Sequence, residues 1–147
     1  MKKADSQLIG IAGENFVAGE LLKNGFIATI TGKNTKSVDI LCMNPGNFKL
    51  SAIQVKTTTT IKNEKGTWML DAKDENLVND SLYYVFISIE GNQNRFFVIP
   101  SKTLSDEITK KHKKWLQDKN RKHHDNSIRT VDYNFVQQFE NNWFLLK

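Results

Sequence analysis

Residues 38–56 read VDILCMNPGNFKLSAIQVK, and the fold turns on how this stretch is divided. Val38–Met43 and Phe48–Lys56 have the apolar content of two short strands. Between them Asn44-Pro45-Gly46-Asn47 places Pro and Gly beside asparagines, the side chains that best tolerate tight turns, so an antiparallel hairpin is expected. Asp39 stands at the end of the first strand, and Gln54 and Lys56 at the end of the second. Residues two apart on a strand share a face, so Gln54 and Lys56 point one way while Ile53, Val55 and Thr57 point the other. Phe48, Leu50 and Ala52 lie on the Gln54 side, which predicts a buried face that turns polar at its tip. A carboxylate, an amide oxygen and an ammonium at one sheet edge suit a divalent cation beside a phosphodiester.

Upstream, residues 5–24 read as a helix that Asp5 or Ser6 caps and Gly25 stops. A 3.6-residue winding groups Ile11, Ala18, Leu21 and Leu22 on one side with Glu14, and Glu20, Lys23 and Asn24 on another. An acid among apolar neighbours has to be neutralised, paired or metal-bound, which singles out Glu14. Gly10, Gly13 and Gly19 each weaken a helix; their presence suggests close approach to a sheet. Phe26–Thr31 is a further strand.

Downstream, Thr57–Gly66 is a mobile loop or a strand extension beside the site, Thr67–Asp71 another strand, and Leu82–Ile89 with Arg95–Ile99 a hairpin across Gly91-Asn92-Gln93-Asn94. Pro100 closes the sheet and Ser101 caps a helix running from Leu104 to about Gln117. Leu104, Ile108, Trp115 and Leu116 form its packing stripe, under a basic exterior. Lys110, Lys111, Lys113 and Lys114, with Arg121 beyond them, form a candidate track for a nucleic-acid backbone, although such a lysine face also serves solubility alone. Asp118–Thr130 reads as loop. The aromatic end, from Tyr133 to Leu146, is apolar enough to pack back on the domain. Trp68, Trp115, Trp143, Tyr83 and Tyr84 read as core anchors.

The chain of 147 residues suits one domain spanning 1–147. Its 21 Lys plus Arg against 16 Asp plus Glu give a net charge of +5, a balance that favours polyanionic partners. The single cysteine, Cys42, excludes an internal disulfide, reads as a buried reduced thiol and points to the cytoplasm. No apolar run reaches membrane-spanning length, and the amino end lacks the apolar core of a secretion signal. His112, His123, His124 and one Cys do not assemble a standard zinc site, and a phosphohydrolase centre at His124-Asp125 would need further His and Asp ligands.

With a helix and three strands in this order, the chain resembles the PD-(D/E)xK nuclease superfamily over roughly its first 60 residues. The matching residues are Glu14 in Gly13-Glu14-Asn15-Phe16-Val17-Ala18, Asp39 in Ser37-Val38-Asp39-Ile40-Leu41, and Gln54-Val55-Lys56-Thr57. The Gln-x-Lys form is similar to that of Mrr-type restriction enzymes, and the Gly-x-x-Glu helix to that of archaeal Holliday junction resolvases. The resemblance implies an α/β fold with a central mixed sheet flanked by helices, a restriction-endonuclease-like core of order α-β-β-β-α-β. It further implies a metal-dependent DNA endonuclease in which Asp39, Glu14 and the Gln54 oxygen hold Mg²⁺ or Mn²⁺ and Lys56 orients the hydrolytic water. Related nucleases often dimerise, and the Tyr83 strand or the aromatic end are the surfaces considered for a homodimer.

Two departures from the pattern bear on the chemistry. Val38 replaces the signature proline at little cost. Gln54 replaces the second acid, so the metal would lose an anionic ligand and keep a neutral carbonyl oxygen, lowering affinity for a hard cation unless Glu14 restores the charge. The alternatives are a nuclease-fold module that binds DNA without cutting it, and an interaction protein in which Asp39 and Lys56 form an ion pair.

Overall fold

Helix α1 (Ser6–Lys23) opens the fold. In the computed structural model, which describes residues 5–32 and 35–147, Asp5 caps α1 by accepting the Gln7 N–H at 2.9 Å. Gly25 ends it at φ +87° in a Schellman motif, with Phe26 N–H donating to the Leu21 carbonyl and Gly25 N–H to that of Leu22. Residues 1–4, part of the amino end read above for a secretion signal, lie outside the described residues.

Five strands form the main sheet in the order β1-β2-β3-β5-β6: Ile27–Ile30, Ile40–Met43, Leu50–Thr58, Leu82–Glu90 and Gln93–Pro100. β1, β2 and β3 are antiparallel neighbours, β3 and β5 run parallel, and β5 and β6 form an antiparallel hairpin. The crossover from β3 to β5 carries strand β4 (Thr67–Asp71) and a one-turn 3₁₀ helix, Ala72–Glu75. β4 pairs with β7 (Ile128–Asp132) in a separate two-stranded sheet. This is the mixed sheet flanked by helices that the resemblance implies, but the order α-β-β-β-α-β does not hold: no α-helix precedes β5, because the crossover carries β4 and the 3₁₀ turn, and the second helix follows β6.

Both sheet faces are covered. α1 and the C-terminal segment bury Val17, Leu21, Ile40, Ile53, Val85, Trp143 and Leu146 on one face. Helix α2 (Ser101–Leu116) and the β4–β7 ribbon bury Trp68, Tyr84, Phe86, Phe97, Leu104, Ile108 and Val131 on the other. Seven consecutive residues of β5, Leu82–Ser88, are therefore buried, as expected for a strand packed on both sides. This removes the Tyr83 strand as a dimer surface. The aromatic end packs inward as expected, apart from Phe144.

Several expectations need correction. Phe48 takes φ +59°, a left-handed conformation a strand does not accommodate, so β3 starts at Leu50. Phe48 and Leu50 are 74% and 67% exposed, and it is Ser51, Ile53 and Val55 on the opposite face that are buried. Of the two readings of Thr57–Gly66, strand extension holds for Thr57 and Thr58, because β3 pairs with β5 as far as Thr58↔Ser88. On α1 the buried stripe runs through Gly13, Val17, Ala18 and Leu21, leaving Ile11 and Leu22 exposed. Gly13 alone of the three glycines meets the sheet: a Cβ there would lie 2.0 Å from Thr57 Oγ1, whereas nothing is within 4 Å at Gly10 or Gly19. Ser101 does not cap α2; its hydroxyl donates to the Asn79 carbonyl and accepts the Asn79 N–H. Trp115 is 37% exposed, lying against His112 and His123 and outside the core. The end of the expected loop 118–130 is already β7.

Candidate active site

The site forms where β2 stops and β3 continues. The last register pair between them is Ile40↔Ile53, so the β3 edge beyond Ile53 has no strand beside it. Asp39 fills that notch: its N–H donates to the Ile53 carbonyl at 2.8 Å, and its Oδ2 accepts the Val55 N–H at 2.7 Å. The carboxylate thus takes the place of the next strand residue in the ladder. Ile53 and Val55 face α1, while Gln54 and Lys56 face the second layer.

Glu14 reaches the notch from the α1 side. Gly13 is seated against Thr57, which places the next residue of the helix, Glu14, above the end of β3. Burial, and after it the Asp39 charge, push the Glu14 carboxyl above the usual carboxylate range. Burial also raises Asp39, opposed by the Val55 N–H, Lys56 and Lys73. Glu14 therefore feels the Asp39 charge, and Asp39 that of Lys56 and of the exposed Lys73. Gln54 Oε1 is buried and has no hydrogen-bond partner. An orphaned buried carbonyl oxygen is costly, and Gln54 shares its face of β3 with Lys56.

Of the four residues named from the sequence, Asp39 lies within electrostatic reach of Glu14 and of Lys56, and Gln54 stands two residues before Lys56 on the same face of β3. Sequence reasoning missed Asp74. This aspartate of the 3₁₀ turn is 1% exposed; its Oδ2 lies 3.4 Å from Lys56 Nζ and accepts the Asp71 N–H at 2.9 Å. Its Oδ1 accepts the Tyr84 hydroxyl at 2.7 Å. The Asp71-x-x-Asp74 spacing is a helix-capping signature and was the available signal. Tyr84 lies opposite Gln54 in the parallel register, and burial, then its bond to Asp74, pushes its phenol far up, so it remains a donor.

The basic helix divides. Lys110, Lys113, Lys114 and Arg121 are exposed, whereas Lys111 is engaged within the fold, donating to Asp132 and Thr130 at 2.8 and 2.9 Å. His112 pairs with Asp125 at 2.8 Å. No group of three or more His, Cys, Asp or Glu that could hold a metal is found among the described residues. Burial raises the Cys42 thiol to about 11. No described helix is long and apolar enough to cross a membrane.

Two solved structures share this arrangement of elements. One is Archaeoglobus fulgidus Hjc, a Holliday junction resolvase from an archaeal hyperthermophile, 14% identical with a TM-score of 0.54 over 88% of both chains. The other is a bacterial homing endonuclease, I-Ssp6803I, 16% identical with a TM-score of 0.58 over 97% of this chain and 91% of that one. The fold is restriction-endonuclease-like. The likeness runs well past the first 60 residues to α2 and the β4–β7 ribbon. No protein-family model and no curated protein matches the sequence.

Proposed function

We propose that the chain is a metal-dependent DNA endonuclease that hydrolyses phosphodiester bonds. The observation that carries this reading is Asp39, held in the notch at the free end of β3 by the Val55 N–H and within electrostatic reach of Glu14 and Lys56, with the partnerless Gln54 Oε1 on the same strand. Two acids whose carboxyls are pushed up by burial, that of Glu14 also by the Asp39 charge, at a strand end that carries an oxygen lacking a donor, form a site that a small hard cation would satisfy.

Asp39, Glu14 and the Gln54 oxygen would hold Mg²⁺ or Mn²⁺. When bound, the cation polarises the phosphate and stabilises the leaving oxygen. The Val55 N–H fixes the orientation of the Asp39 carboxylate. Lys56 projects from the same strand end and donates to the attacking water, orienting its oxygen toward phosphorus. As the water oxygen bonds to phosphorus, the bridging P–O bond breaks and its oxygen leaves with a proton. Lys110, Lys113, Lys114 and Arg121, being exposed, are available for phosphate contacts along the duplex.

The test is cleavage of duplex and branched DNA by purified protein with Mg²⁺ or Mn²⁺. Wild-type protein is expected to cut, and Asp39→Ala and Lys56→Ala to lose the activity. Mn²⁺ at ten times its dissociation constant should stabilise the wild-type fold by about 1.4 kcal/mol, and Asp39→Ala should lose that shift. DNA binding without cleavage at any metal concentration would refute the enzyme and leave a binding module.

A further inference from the structure

We propose that Asp74 is a positioning residue for Lys56, supplying from the crossover the acid that the Gln54-x-Lys56 motif lacks on its strand. The inference rests on the nuclease reading and adds to it a residue outside the motif.

Three features point this way. First, Asp74 is buried, and each of its oxygens is engaged: Oδ1 by Tyr84, Oδ2 by the Asp71 N–H and by Lys56 Nζ at 3.4 Å. Capping the 3₁₀ turn requires only the Asp71 contact. An unpaired carboxylate at this depth would be expensive, so the Tyr84 and Lys56 contacts account for its burial.

Secondly, Lys56 is held from two sides. Asp74 takes its ammonium, and the Tyr84 ring lies beneath it at 6.0 Å to the centroid, close enough for a cation–π contribution. A lysine side chain is long and loses rotamer freedom when fixed. Held in this way, Lys56 keeps its remaining N–H groups for the notch that contains Asp39. An acid at position 54 would stand beside the metal ligands; Asp74 addresses the lysine instead.

Thirdly, the turn that carries Asp74 is clamped from behind. Arg129 of β7, 7% exposed, pairs with Glu75, and the Ser105 hydroxyl of α2 donates to the Glu75 carbonyl. The crossover is thereby fixed to α2 and to the β4–β7 ribbon, and Asp74 cannot retreat from Lys56 without breaking these contacts.

The experiment uses the full chain. Asp74→Asn should lower kcat for DNA cleavage with Mn²⁺ by about 100-fold, the scale of a misplaced catalytic group, with KM for DNA unchanged. In a Lys56→Ala background the same substitution should change kcat little, because the group it positions is gone. Equal losses in both backgrounds, or an unaltered kcat in Asp74→Asn, overturn the assignment. A second readout needs no cleavage: acylation of Lys56 by a succinimidyl ester, followed by peptide mass spectrometry, should be several-fold faster in Asp74→Asn. An unchanged labelling rate overturns the pairing. Faster labelling in a protein that never cuts DNA retires the nuclease reading and retains the pair. If Asp74→Asn does not fold, Tyr84→Phe removes one donor from Asp74 and should raise Lys56 labelling to a smaller extent; no change there overturns the proposal.

Discussion

Replacing each of the three α1 glycines by alanine should separate them in sign. At Gly10 and Gly19 an added Cβ meets nothing within 4 Å, so the helix propensity gain of about 1 kcal/mol is realised in full. For a chain of this length that corresponds to about 3 °C in Tm. At Gly13 the added Cβ would lie 2.0 Å from Thr57 Oγ1 and 3.0 Å from both Thr57 Cβ and Cγ2. Rotating the hydroxyl away brings other substituents into the gap and leaves the Cβ contact untouched, so helix or strand has to move. Overpacking of this kind costs about 1–3 kcal/mol. With no easy escape the upper part of that range applies, and after the propensity gain the net loss is about 2 kcal/mol, or about 6 °C.

Thermal unfolding of the three single variants by circular dichroism measures this directly. Gly10→Ala and Gly19→Ala should melt above the parent and Gly13→Ala below it. Adding Thr57→Ala to Gly13→Ala removes two of the three close atoms and should recover more than half of the loss. Because Glu14 follows Gly13, Gly13→Ala should also lower cleavage more than its stability loss accounts for. If Gly13→Ala stabilises the protein as the other two do, α1 does not sit on β3 at this distance, and the placement of Glu14 at the notch goes with it.

The site also makes stability depend on pH. Glu14 and Asp39 both have carboxyls raised by the fold, so above the ordinary carboxylate range the folded state binds more protons than the unfolded chain, and stability falls as pH rises through that window. Glu14→Gln should therefore melt above wild type at neutral pH, the gap closing on acidification to about pH 3, where Glu14 is protonated in both states; a gap that widens on acidification would refute the reading. Millimolar Mn²⁺ at neutral pH should reverse the order by stabilising wild type alone. Along α2, replacing Lys110, Lys113 or Lys114 by Ala should each reduce the slope of log affinity for DNA against log salt by about 0.9 per lost phosphate contact. Lys111→Ala should instead lower Tm, because its partners are Asp132 and Thr130; unchanged slopes would remove α2 from the DNA interface.

Where interactions are local, the sequence carried them. Pro-Gly between asparagines set the β2–β3 hairpin, Asp5 and Gly25 bounded α1, and the Gln54-x-Lys56 spacing put both side chains on one face. What escaped reading depends on distant partners. The first three residues of β7, Ile128–Thr130, read as loop because a buried arginine, Arg129, hides the alternation that marks a strand; the presence of Glu75 beneath it makes Arg129 an inward residue. The buried face of β3 was misassigned because Phe48 and Leu50 look like core while standing exposed beyond the hairpin turn, and Ser51 looks like surface while lying under the opposite layer.

Asp74 is the most consequential of these cases. From the sequence the motif reads as deficient by one acid. In the fold, the parallel pairing of Gln54 with Tyr84 brings a phenol beside the motif, and the crossover returns a buried carboxylate to that phenol and to Lys56. Neither partner is near the motif in the chain: Tyr84 and Asp74 belong to elements placed only once β5 has docked on β3. The charge that seems absent at position 54 is therefore present in the site but directed at the lysine. On the proposed reading, metal affinity and lysine placement would rest on separate acids, Glu14 with Asp39 for the first and Asp74 for the second. Substitutions at Glu14 should accordingly act through the metal dependence of cleavage, and substitutions at Asp74 through its rate at saturating metal.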